Sequence, residues 1–395
     1  VRVATVCSSP STLSSRSIAL EDGRGFNPLS SGIMYNSASV CSLNNQARVL
    51  CPQYAAKDYH RFLVGTCSLH DSNELSILQY FEDSNHFDVS CSFAHPDQIW
   101  AIEASPKDSA LVVTSRQSLG ARSLTLWRMP QQDAESLAAD PAGGDSFHNE
   151  QLELTEIASF CHTQKAVSVR DIKWSSTEDT LLTIDNKMLS TWTIGEGSIS
   201  LDNGLALDDE SQGFLQEGCV AWDPHNSKQC AVGLGRALRI VDTREMEITS
   251  EQIGAHEESI RSVDYNPNKP LMLITAGDDR KVKFWDARNF NKPVQILAGH
   301  SHWVWSAKFN PFHDQLVISG GSDHVVNLWR VASCSSAPWL GSEEASSDPA
   351  DAKVRASDQH EDSVYSVAWS AADAWIYCSL SFDGRAMISH VPSTE

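Results

Sequence analysis

Short apolar runs broken by single polar residues recur down the chain, and each ends in a turn. Val220-Ala221-Trp222-Asp223-Pro224, Val263-Asp264-Tyr265-Asn266-Pro267 and Ala307-Lys308-Phe309-Asn310-Pro311 share one order: apolar, spacer, aromatic, turn former, proline. Ile172-Lys173-Trp174-Ser175 and Val367-Ala368-Trp369-Ser370 are looser copies. Alternating side chains bury one face of a strand, and Asn-Pro or Asp-Pro stops it. These runs therefore predict the innermost strands of a set of repeated sheets. A second set predicts third strands: Glu74–Leu78, Ser123–Trp127, Met188–Trp192, Leu238–Val241, Lys281–Trp285, Val325–Trp329 and Ala386–Ser389. Their final positions, 78, 127, 192, 241, 285, 329 and 389, number seven units.

A polar pattern is locked to the apolar one. His256, Thr275, Asp279 and Trp285 recur 44 residues later as His300, Ser319, Asp323 and Trp329. His360, Ser379 and Asp383 keep the same offsets of 19 and 23 residues from the histidine. Gly299-His300 opens one unit and Trp285-Asp286 closes another. A repeat of about 40–45 residues with such ends is the signature of WD40 β-propeller blades. The fold class expected is all-β, a single seven-bladed WD40 propeller over residues 34–395.

A serine hydroxyl, an imidazole and a carboxylate also invite a hydrolase reading. A catalytic triad is needed once, beside an oxyanion hole. Here the set is repeated and tied to a tryptophan, so it reads as a structural chain of hydrogen bonds holding each blade together. His95 and His162 are weaker starts, and Trp127 and Trp192 weaker ends. Leu78, Val241 and Ser389 stand in the tryptophan position, so blades 5 and 6 should be the best tied. No nucleotide-binding, zinc-protease or esterase motif is present, and Gly277, Gly320 and Gly321 need no phosphate. The reading is non-enzymatic, with no catalytic, cofactor or metal residue.

Polar insertions are expected at about 131–150, 196–213 and 333–358. The segment around Tyr35 to Val40 is expected to supply the outer strand of the last blade and close the ring. Residues 1–33, serine-rich and without an acid before Glu21, read as a tail or over-extended start outside the ring; a transit peptide is the competing reading.

Charge narrows the partners. Against 30 basic residues stand 51 acidic ones, a net charge of −21. Such a chain repels phosphate backbones and anionic lipid, so nucleic acid and direct membrane insertion are disfavoured. Ten cysteines without a CxxC pair read as buried thiols. A protein partner remains, on a monomeric propeller. The rim facing it should carry Gln98, Ser259, Trp303 and Ser363, with Asp278 and His302 beside them. Trp303 is the expected aromatic anchor, and Glu257, Glu258, Glu361 and Asp362 form an acidic border favouring a basic or mixed partner surface.

Longer motifs are more specific. Gly277-Asp278-Asp279-Arg280-Lys281-Val282-Lys283-Phe284-Trp285-Asp286-Ala287-Arg288, His300-Ser301-His302-Trp303-Val304-Trp305 and the stretch from His360 to Ser370 resemble the EARP-and-GARP complex-interacting protein family. So do Arg61–Thr66, Ile99-Trp100, Trp127–Pro130 and Ser379–Arg385, in order, from about Asn45 to Pro392. Residues 195–218 diverge. The resemblance implies a non-enzymatic WD-repeat adaptor in the cytoplasm, recruited peripherally to endosomes and the trans-Golgi network. Its implied partners are subunits of the two tethering complexes, and its implied role is endosomal recycling and retrograde transport. It supplies no contact motif that can be placed residue by residue. The competing reading is a WD40 cargo receptor for a short targeting peptide of the peroxisomal-import type.

Overall fold

The computed structural model describes residues 38–118, 121–130, 152–160, 169–185, 187–195, 198–207, 218–336 and 351–392. They form seven sheets, six antiparallel ones of four strands and one of five that includes a parallel pair. The inner strands are Ala47–Pro52, Gln98–Ala104, Asp171–Trp174, Gly218–Trp222, Ile260–Tyr265, Val304–Phe309 and Val364–Trp369, here blades 1 to 7. Each touches the inner strand of the next blade, and that of blade 7 touches that of blade 1, so the sheets close a ring.

The alternation described above accounts for the packing. Each blade is apolar on both faces and must bury them on its neighbours. Seven apolar clusters result, one at each seam. At the seam of blades 5 and 6, for example, Phe284 and Ile274 meet Val304, Phe309 and Trp329. All seven positions ending the third strands are buried, whether tryptophan or not. The eight described cysteines are buried too; Cys7 and Cys161 lie outside the described residues.

The ring is closed by the start of the chain. Ser39–Ser42 pairs antiparallel with Arg385–His390, in the register Ser39 to Ile388 and Ser42 to Arg385. The closing strand overlaps the expected segment at Ser39 and Val40 and runs on to Ser42; residues Tyr35–Ser37 of that segment are outside the described part. Cys41, buried between Ala386 and Leu50, sets this position, because one face of the strand must enter the seam.

Two expected insertions shrink. Ser198–Ala206 is the fourth strand of blade 3, paired with Met188–Gly195. Asp351–Ser357 is the fourth strand of blade 6, paired with Val326–Val331. Both strands are largely exposed, so their composition is polar and resembles that of a loop. Residues 131–150 and the expected tail 1–33 lie outside the described residues. Leu152–Glu153 adds a short parallel fifth strand to blade 1. No described helix is long and apolar enough to cross a membrane.

Candidate functional site

The repeated polar residues form chains through blades 5 and 6. Trp285 Nε1 donates to Thr275 Oγ1 at 2.8 Å, and Thr275 Oγ1 lies 2.7 Å from His256 Nε2. His256 Nδ1 lies 2.8 Å from Asp279 Oδ1. Blade 6 repeats this with Trp329, Ser319, His300 and Asp323 at 2.9, 2.8 and 3.0 Å. Burial holds the His256 pKa down despite Asp279, so its neutral ring donates from Nδ1 and accepts at Nε2. Thr275 and Ser319 are wholly buried, so neither hydroxyl can meet a substrate.

The other blades are simpler. In blade 2, Trp127 donates to Thr114, which lies 3.1 Å from His95. In blade 3, Trp192 donates to Thr183, while His162 is outside the described residues. In blade 7, His360 reaches Ser379 at 2.8 Å, but its other nitrogen meets Ser381, and Ser381 donates to Asp383. Asp383 is therefore one hydroxyl removed from the histidine, a correction to its expected direct place. Serine two residues before the aspartate makes the link; blades 5 and 6 carry Gly277 and Gly321 there. A Cβ at Gly277 would lie 2.5 Å from the Ser259 carbonyl, and one at Gly321 2.7 Å from that of Trp303. Sequence reasoning also missed Lys283. Its side chain is buried, with Nζ 3.2 Å from Asp279 and donating to the Ala255 carbonyl. Burial would raise the Asp279 pKa, but His256 and Lys283 outweigh it and hold the carboxyl well below its usual range.

The loops carrying Asp279 and Asp323 share a face with those preceding the inner strands. Asp278 donates its N–H to the Ser259 carbonyl, Ser322 to Trp303 and Phe382 to Ser363. This upper face includes Ser259, Asp278, Trp303 and Ser363. Trp303 is 42% exposed, and the neighbouring His302 ring lies 5.0 Å away. Gln98 and Ser363 are half-buried; Gln98 donates to the Ser68 carbonyl. Asp278 grips Arg261 through both carboxylate oxygens, at 2.8 and 2.7 Å. The acidic border is partly neutralised, since Lys281 meets Glu257 and Arg385 meets Glu361.

Inside this rim lies a feature that the alternation hides. Five inner strands carry a one-residue bulge at the same place, between Ala47 and Val49, Ile99 and Ala101, Ile260 and Ser262, Val304 and Ser306, and Val364 and Ser366. A bulge leaves its extra residue out of the ladder and re-aims its side chain. The bulged residues are Arg48, Trp100, Arg261, Trp305 and Tyr365, each four before the end of its strand. Arg170 and Gly218 hold that position in blades 3 and 4. All seven line one mouth of a central cavity of ≈ 770 Å³.

These side chains stack along the ring. The Arg48 guanidinium lies 4.6 Å from the Trp100 ring and 4.5 Å from Tyr365. Tyr365 packs on Trp305 at 4.6 Å, and Arg261 lies 4.7 Å from the Trp305 ring. Trp303 meets Trp305 edge-on at 6.0 Å. The stack spans blades 2, 1, 7, 6 and 5 in ring order, at separations where cation–π attraction operates. Deeper in the cavity, Lys173 pairs with Glu103 at 3.0 Å and Lys308 with Asp264 at 3.3 Å. Burial works against the Lys173 charge, but Glu103 and Asp171 outweigh it and keep the ammonium protonated.

Closed ring, repeated blades and buried polar chains define a WD-repeat β-propeller, a class that presents its loops and channel mouth to other proteins. Comparison with known proteins narrows the class. Residues 35–329 match the family model described as EIPR1 beta-propeller, and residues 353–388 match the WD domain, G-beta repeat. The chain belongs to this EIPR1 β-propeller family. Human EARP and GARP complex-interacting protein 1 is 36% identical over 377 residues, covering 89% of this chain and 96% of the relative. The EARP-interacting protein homolog of Gekko japonicus is 35% identical over 379 residues, with the same coverage. WD repeat-containing protein DWA2 of Arabidopsis thaliana is 31% identical over 369 residues, covering 92% and 97%.

Proposed function

We propose that this protein is a non-enzymatic WD-repeat adaptor that binds subunits of the EARP and GARP complexes through the upper face of its ring. The observation that carries the docking face is the collar: seven equivalent positions, three arginine and three aromatic, around one mouth, with Trp303 exposed beside them. Arginine and aromatic residues dominate the energetics of protein interfaces, and stacking fixes their rotamers before a partner arrives. The names of the human and gecko relatives supply the partner. On this reading the adaptor acts as a monomer in the cytoplasm, is recruited peripherally to endosomes and the trans-Golgi network, and supports recycling and retrograde transport.

The test is affinity capture from cells with the tagged full chain and its Trp303→Ala variant. The full chain should recover EARP and GARP subunits. The variant should bind about thirtyfold more weakly and recover correspondingly less, as expected for an interface anchor of roughly 2 kcal/mol, with its melting temperature unchanged. Recovery of peroxisomal matrix cargo without those subunits would instead favour the cargo-receptor reading.

A further inference from the structure

We propose that the lower mouth of the ring, opposite the collar, is a second docking surface, and that it takes an uncharged, proline-rich segment of a protein partner in the polyproline-II conformation. The inference goes beyond the upper-face reading and does not depend on it. The residue two places beyond each inner strand lines this mouth, and none of the seven is charged; four are proline, and blade 1 has Tyr54. The prolines belong to the turns. In blade 6, Asn310 Oδ1 accepts the N–H groups of Phe312 and His313, each at 2.9 Å, and Pro311 sets the backbone between. The aromatic residues do not. Tyr54, Phe312 and Trp375 are 37, 45 and 48% exposed. Blade 5 builds the turn of Phe312 with Asn268 in its place, around Asn266. Trp375 donates its N–H to Asp373, and blade 4 builds that turn with Lys228 donating to Asn226. The turns thus give no reason for aromatic rings on adjacent blades 6 and 7. His313 stacks on Trp375 at 4.9 Å and widens the sector.

Charge selects the occupant. At the lower ends of blades 2 to 4 opposite charges are paired, Lys107 with Asp179 at 2.8 Å and Lys228 with Glu178 at 2.9 Å. In the aromatic sector Asp314 is buried and accepts from Asn266 and Ser336, while Asp373 accepts the N–H of Trp375. Lys57 and Asp58, exposed in one turn of blade 1, are of opposite sign. A basic segment finds these acids engaged, and an acidic one is repelled by a chain of net charge −21, so an uncharged segment is the complementary one. Hydrogen bonding then selects its conformation. Trp375 Nε1 and Tyr54 Oη have no partner among the described residues. A helix satisfies its own backbone and offers such donors nothing, whereas polyproline II has no internal hydrogen bonds and exposes its carbonyls. Proline-rich segments dock on aromatic-lined grooves, and their preformed backbone loses little entropy in doing so. Surfaces at both ends of the channel let one ring hold two partners.

The experiment uses the purified full chain and fluorescein-labelled, C-terminally amidated decapeptides. One is decaproline, a second alternates glycine and alanine, and a third is a helix former of alanine and glutamine. Fluorescence anisotropy should show decaproline binding about tenfold more tightly than either other peptide, with an affinity that does not fall as salt rises. Trp375→Ala and Phe312→Ser should each bind it about tenfold more weakly. Trp375→Phe, which keeps a ring and loses the donor, should fall between. Ile296→Ala, an exposed apolar residue on the outer strand of blade 5, should bind as the parent chain does. Phe312→Ser, in a turn that blade 5 builds with asparagine, carries the test where Trp375→Ala melts early. Equal binding of decaproline and the glycine–alanine peptide overturns the proposal, as does an unchanged affinity in both variants. Tighter binding of the helical peptide overturns it in favour of a helix. A dimer in sedimentation velocity that Phe312→Ser dissociates, with no binding of decaproline, overturns it in favour of a second copy of this chain.

Discussion

Asp279 and Asp323 occupy equivalent places, yet their surroundings predict different costs of removal. Asp279 is gripped by His256 and by the buried Lys283 ammonium. Asp323 has His300, while Asn327 stands where blade 5 has Lys283 and lies 3.0 Å from His300 Nε2. Asp279→Ala leaves a buried cation unpaired and should cost about 3–5 kcal/mol. Asp323→Ala leaves no buried lysine behind, only the hydrogen-bonding groups of His300, Ser301 and Val325, and should cost about 1–3 kcal/mol. Adding Lys283→Met to Asp279→Ala should recover part of the loss. Urea melts of the four proteins check this order, and equal losses at the two aspartates would refute the role given to Lys283.

The histidines set a pH dependence at the same scale. Burial lowers the pKa of His95 and of His360 to about 4, against an unfolded value near 6.5. The unfolded chain then binds more protons between those values, so this contribution is intact above pH 6.5 and shrinks as pH falls toward 4. Asp279 works lower down: its depressed pKa stabilises above about 3.9 and is lost below. Thermal melts should therefore decline already between pH 6.5 and 4.5. His360→Asn should flatten that decline, and an unchanged slope would mean that His360 does not titrate in this window.

At the scale of elements, the closing strand and the turns beside it are the sensitive points. The turn after each tetrad aspartate needs a left-handed residue: Arg280 at φ 66°, His324 at φ 64° and Gly384 at φ 82°. Only Gly384 lies against the closing strand, where Leu43 donates to its carbonyl and a Cβ would collide with the Asn45 carbonyl. Gly384→Ala should thus cost about 1–3 kcal/mol, whereas His324→Gly should be neutral within about 1 kcal/mol. Denaturant melts distinguish them, and limited proteolysis should cut Gly384→Ala first near residues 39–45. Strands at 198–206 and 351–357 show why outer strands escape a sequence reading. They face solvent on an open edge, so neither alternation nor apolar content marks them.

For the whole molecule, the consequence of ring closure is the mouth. Arg48, Arg170 and Arg261 are scattered in the chain and form no basic run, so composition alone pointed to an acidic surface and a basic partner. The repeat was legible because burying both faces of every blade forces one apolar period and one polar tie onto each unit. That constraint sufficed to place seven blades, the inner strands of blades 3 to 7 and the tetrad residues of blades 5 and 6. It could not show Lys283 turning inward, or Ser381 standing between His360 and Asp383, because those contacts depend on side-chain placement within a formed blade. Nor could it reveal the collar. Bulges remove those residues from the alternation, and closure of the ring brings residues from seven distant strands to one rim. The sequence by itself determined the blade and its number; the tertiary structure decided which side chains meet at the mouth, because that proximity exists only after the ring has closed.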